Sequence, residues 1–225
     1  MLDIYTSPTS AFQHLKEKPT WLVPIIIIVV VNMVAAMFTA QYVDWDAQRQ
    51  KAIDQMRERN MSEADIQKAT ENMDRIFRSP LVRYGSPLVN GLVTSVVGVL
   101  FLALIYNICL PILGGTGSFV RSLSVTAWAG LAAVPGAIIR IVLVLLKRSA
   151  EVSTSLAALF PSVKSGFVVV ILSRIDPFAI WQLILAGLGL KVVFDLKGSK
   201  SYWLVFSVWG VLTLIFALLG ARAVR

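Results

Sequence analysis

Side chains able to do chemistry are scarce in this chain. It has one histidine, His14, and one cysteine, Cys109, so neither a His cluster for a metal nor an internal disulfide is open to it. Serines and Cys109 remain, but a nucleophile without a nearby base is not an active site. The run Gly114-Gly115-Thr116-Gly117-Ser118 has the glycine content of a phosphate cradle. It lacks both a preceding strand and a following Gly-Lys-Ser/Thr, so Gly114 and Gly115 read as a tight turn between helices. Asp176-Pro177 places an N-cap acceptor before a proline at the first helical position. Arg140 follows Pro135-Gly136 by one turn inside an apolar stretch. Pro135 leaves the carbonyl of Leu131 without its helical partner and bends the helix. A membrane arginine is costly and must pair or reach water. Arg140 either snorkels or bonds freed carbonyls, or it meets an anionic headgroup or a partner carboxylate, with Asp176 and Asp195 as the acids at hand. Catalytic residues, metal ligands and cofactors are all expected to be absent.

These positions sit on elements set by composition. Of 225 residues, 56% are hydrophobic and 15% charged, and the mean hydropathy is +0.73. A soluble domain is about a quarter charged, which excludes an ordinary globular enzyme. A spanning helix needs about 20 mostly apolar residues. Five stretches meet that test: 21–43, 87–113, 119–146, 176–196 and 202–221. Backbone amides in lipid are satisfied only in helices or closed barrels, and these runs lack strand alternation. The first is a retained span, since it is too long for a signal h-region and no small-residue cleavage site follows it. The net charge of +8 belongs to loops near anionic headgroups, with no nucleic-acid partner expected. Asn32, Asn90, Thr94, Asn107, Thr126, Gln182 and Thr213 are polar within spans and read as helix-packing groups. No acid lies deep in a span, which argues against a proton- or sodium-coupled carrier.

Outside the spans, residues 7–18 read as an interfacial helix, with Phe12 and Leu15 on one face. Residues 44–86 carry eight bases and eight acids. In them Ser62-x-x-Asp65 resembles a capping box, with Met61 and Ile66 as its staple. Ile66, Met73, Ile76 and Phe77 follow at helical spacing and are the candidate partner-binding stripe. A preceding helix turning at Arg59-Asn60 completes an extramembrane hairpin. Residues 156–174 read as a re-entrant or interfacial segment, because the apolar run 166–172 is too short to cross. The fold class is therefore all-α, a polytopic five-helix bundle in one domain.

Ser7-Pro8-x-x-Ala11-Phe12 and Lys18-Pro19-Thr20-Trp21-Leu22-x-x-Pro24 resemble the entry to the first span in the bacterial branch of the YIP (Ypt-interacting protein) domain family. Residues 113–125 with Pro135, and the block Ile175-Asp176-Pro177-Phe178-x-Ile180-Trp181, extend the likeness over nearly the whole chain. The resemblance implies a non-enzymatic five-span protein with a cytoplasmic N-terminus, in a bacterial inner membrane. Its eukaryotic relatives bind Rab-type GTPases. The 20-residue tail here lacks the long cytosolic segment used for that work, so Rab binding is not carried over. Lys and Arg number 14 on the face of 44–86 and 6 on the other, which alone would put the N-terminus outside. Eight of the 14 lie in the hairpin, each matched by an acid, and without them the faces balance. The expected function is a membrane adaptor or organiser binding membrane lipids, a membrane-protein partner or a second copy of itself. The alternative is a small transporter, channel or lipid-handling protein using the Pro135–Arg140 break.

Overall fold

The computed structural model describes residues 2–77, 79, 81–163 and 165–223, and the side chains of Phe77 and of residues 221–223 lie outside it. Among the described residues the chain is all helix and turn, without a strand. In order the helices are α1 (Asp3–Thr6), α2 (Pro8–Glu17), α3 (Leu22–Gln41), α4 (Trp45–Glu58), α5 (Glu63–Phe77) and α6 (Ser86–Cys109). Then come α7 (Phe119–Gly130), α8 (Ala133–Lys147), α9 (Gly166–Arg174), α10 (Pro177–Val193) and α11 (Lys200–Ala223). Lys164 and Arg225, and the Arg222 side chain, fall outside the described residues.

Four stretches are long and apolar enough to cross a bilayer: Leu22–Gln41, Leu81–Leu113, Phe119–Lys147 and Lys200–Gly220. Their apolar side chains face outward, as with Val30, Val97 and Leu214, each about half exposed. Continuous outward apolar surface on this scale suits lipid, not water. The stretch expected at 176–196 is shorter than anticipated. Alone, α10 has 17 residues, about 26 Å, and it passes the same test only together with α9, to which it is bent by 59°. Among the described residues there are four such stretches, or five when the bent pair counts as one. The bend has a local cause. The residue before a proline is pushed into extended geometry, and Asp176 adopts φ −130° and ψ 140°, so one helix cannot run through it.

The third stretch is also broken, at Leu131–Ala132, where Pro135 removes the donor that Leu131 needs. Two groups replace it. The Val134 amide donates to the Leu131 carbonyl at 3.0 Å, and the Tyr5 hydroxyl of α1 donates at 2.7 Å. Burial raises the Tyr5 phenol above its usual 10, which keeps it a protonated donor.

The core gathers α2, α6, α7, α10 and α11 around Phe12, Leu15, Tyr106, Val125, Leu190 and Val205. The apolar face of α2 therefore differs from its interfacial expectation: Phe12 and Leu15 are covered by protein, not by headgroups. Glycines in α10 make the room. A Cβ at Gly189 would lie 2.6 Å from Val125 and 2.7 Å from Phe12, and one at Gly187 would lie 2.5 Å from Tyr202. Lys16 of α2 then reaches Asp195 at 2.6 Å, fixing the N-terminal helix to the turn between α10 and α11.

The segment 44–77 folds into two antiparallel helices. Asp44 caps α4 by accepting from the Ala47 amide at 2.9 Å, and Ser62 accepts from the Asp65 amide at 3.2 Å. Asn60 turns the chain with φ 55°. Two bonds from Arg49 to the Asp74 carboxylate, at 2.7 and 3.2 Å, hold the helices together over buried Ile53 and Ile66. At the base, the Arg83 guanidinium lies 5.8 Å over the Trp45 ring.

Candidate functional site: a polar groove beside the first span

Polar groups in a span need a partner, a water or a ligand. Here several of them converge. Asn32 and Thr39 of α3, Asn90, Thr94 and Ser95 of α6, and Arg140 of α8 line one open groove of about 450 Å³. Small residues between them, Ala35, Ala36 and Gly91, keep it empty of protein. At its deep end Asn32 donates to Ser95 at 2.9 Å, and Ser95 donates back to the Gly91 carbonyl at 2.7 Å. Thr94 donates to the Asn90 carbonyl oxygen at 3.0 Å, and Thr39 to the Ala35 carbonyl at 2.7 Å. These hydroxyls satisfy themselves. Arg140 does not: it is exposed, and among the described residues it makes no hydrogen bond or ion pair. The Asn90 amide nitrogen also has no acceptor among them.

The groove opens at the end of the spans nearest the hairpin. Val43 follows the C-terminus of α3, Pro87 sits in the first turn of α6, and both line it. From Asn32 to Gln41, α3 rises about 14 Å, close to half of a hydrocarbon core about 30 Å thick.

Neither expected acid reaches Arg140. Asp195 is held by Lys16, and Asp176 is the cap of α10, accepting from the Phe178 and Ala179 amides at 2.8 and 3.3 Å. Thr154 also donates to the Asp176 carboxylate. Pro177 is the first residue of α10. Pro135 and Asp176 nevertheless belong to neighbouring breaks, because Gly136 lies directly against the Phe178 ring, where a Cβ would come within 2.5 Å. Gly114 takes φ 86° after the turn Leu110–Leu113, and Gly115 is buried against Leu110 and Leu196. Both serve the turn.

A second cavity of about 300 Å³ lies at the bend between α9 and α10, among Tyr106, Arg174, Asp176, Gln182 and Thr213. Arg174 stacks 4.8 Å over the Phe216 ring. The bend at Asp176-Pro177 is local, but no residue type around position 174 signals the cavity, because its other walls come from α6 and α11. On the hairpin, Ile66 is buried and Met73 half-buried, while Ile76 remains half exposed. The Phe77 side chain is outside the described residues. Among the described residues no group of three or more His, Cys, Asp or Glu could hold a metal.

A family model described as the Yip1 domain matches residues 2–219. The chain is also 22% identical over 221 residues to Membrane protein YknW of Bacillus subtilis (strain 168), covering 97% of this chain and 88% of that protein. No solved structure matches it.

Proposed function

Because the chain belongs to the Yip1 domain family, we propose that it is a non-enzymatic membrane adaptor, a five-span protein that works by binding and performs no reaction. In this reading α9 and α10 form one bent crossing. The N-terminus faces the cytoplasm of a bacterial cell, and the α4–α5 hairpin stands outside the bilayer as the docking element for a membrane-protein partner. One observation carries it. The hairpin is rigidly closed by the paired Arg49–Asp74 bonds, yet it leaves Ile76, 49% exposed, at the end of its apolar stripe. A closed two-helix unit that already buries Ile53 and Ile66 has no internal use for that residue.

The test is crosslinking in native membranes with a photoreactive residue at Asn72. The reading expects one defined adduct, lost in Met73→Asp and Ile76→Asp chains that still insert and purify intact. An adduct pattern identical in all three chains would end the docking assignment.

A second reading, a small transporter or lipid-handling protein, is favoured by the groove. The space beside Arg140 is open, where a dry and filled surround would have removed its support.

A further inference from the structure

We infer that the groove between α3, α6 and α8 is a binding site for one anionic phospholipid, with Arg140 and Asn90 holding its phosphodiester. The inference deepens the lipid-handling reading and rests on the chain spanning a bilayer.

The argument is one of unmet bonding and of fit. Every hydroxyl lining the groove has an internal acceptor. The groups whose side-chain N–H donors are all unused, among the described residues, are the Arg140 guanidinium and the Asn90 amide, while Asn32 spends one N–H on Ser95. A guanidinium presents five N–H groups in a planar fork that matches phosphate oxygens, and it carries a charge that hydrocarbon cannot solvate. An anion therefore completes the site, and Asp176 and Asp195 are both occupied elsewhere.

The surroundings favour a lipid source over a free phosphate. The groove is open along its side and not a closed chamber. It extends from the mouth at Val43 and Pro87 down to Asn32, about the depth of one leaflet. Its floor of Ala35, Ala36 and Gly91 leaves a trough of apolar and backbone atoms that suits an acyl chain. A soluble phosphate would gain nothing from that length. The lipid belongs to the leaflet on the hairpin side, because the mouth lies at that end of α3 and α6.

The experiment uses the full chain purified in detergent and titrated with phosphatidylglycerol, with bound lipid counted by native mass spectrometry. Arg140→Gln is expected to bind about tenfold more weakly, the loss that follows removal of a charge-assisted donor. Arg140→Lys keeps the charge and retains most of the binding. Lys147→Gln, about two turns further along α8, leaves it unchanged. Inorganic phosphate and glycerol 3-phosphate at millimolar concentration are expected not to displace the lipid. Unaltered binding by Arg140→Gln would overturn the site. Equal loss in Lys147→Gln would reassign the affinity to general surface charge, and displacement by inorganic phosphate would overturn the lipid as its occupant. Arg140 is exposed and unpacked, so its variants fold. The premise fails separately: a chain that stays monodisperse without detergent would remove the bilayer, whatever Arg140 does.

Discussion

The seam where the amphipathic α2 meets α7 and α10 and the groove where the apolar α3, α6 and α8 meet are packed to opposite ends. In the seam the backbone comes so close that Gly189 has no room for a methyl group between Val125 and Phe12. In the groove, small residues at the same kind of positions leave about 450 Å³ open. A small side chain thus means contact in one place and space in the other. What separates them is the opposing residue: large rings and branched chains fill the seam, whereas Asn32, Ser95 and Arg140 face one another across the groove.

Substitutions can break this contrast. Gly189→Val forces a branched side chain into the seam and is expected to cost about 1–3 kcal/mol or more, read as an earlier thermal transition in detergent. Asp176→Ala removes two capping bonds and is expected to cost about 0.5–2 kcal/mol. Amide exchange at Phe178 and Ala179 should then accelerate first. Tyr5→Phe removes the donor that serves the broken helix and should cost about 1 kcal/mol. Its effect depends on pH in a stated direction. The folded state raises this phenol above 10, so its contribution is complete below pH 10 and is lost as pH climbs through the folded value. The gap between wild type and variant should close over that range. Asn32→Leu breaks the bond across the groove and should cost the least, about 0.6 kcal/mol. If its transition falls as far as that of Gly189→Val, the groove is as tightly built as the seam and the contrast is wrong.

Four of the five expected spans were legible in the sequence because composition alone decides what lipid accepts, whereas the one at 176–196 reaches crossing length only together with α9. Two breaks were legible as well. Pro135 withholds a donor from Leu131, and Asp176-Pro177 sets a cap before a helix start; both are rules about residues within four of one another. The replacement donor was not legible, since Tyr5 lies 126 positions from Leu131 and only the fold brings them together. The same limit hid the groove. Asn32, Asn90, Thr94 and Arg140 each stand out singly in the sequence, but their convergence depends on which helices are neighbours. The hairpin stripe is one surface by its spacing, and winding α5 onto α4 divides it, burying Ile66 and leaving Ile76 outside. The sequence marks the α2 face as apolar and points it to headgroups, because no local pattern announces that Gly187 and Gly189 have made a place for it.

That place is made late. The ribosome delivers Phe12 long before Gly189, and at about 5–20 residues per second the interval is roughly ten seconds or longer. Throughout it, the N-terminal amphipathic helix lacks the neighbour that covers most of its apolar face, and the membrane surface and the earlier α7 are the shelters open to it until the end of α10 emerges. Nascent chains stalled before residue 189 should keep α2 on the lipid, so insertion of the later helices and docking of the first are a single event in time.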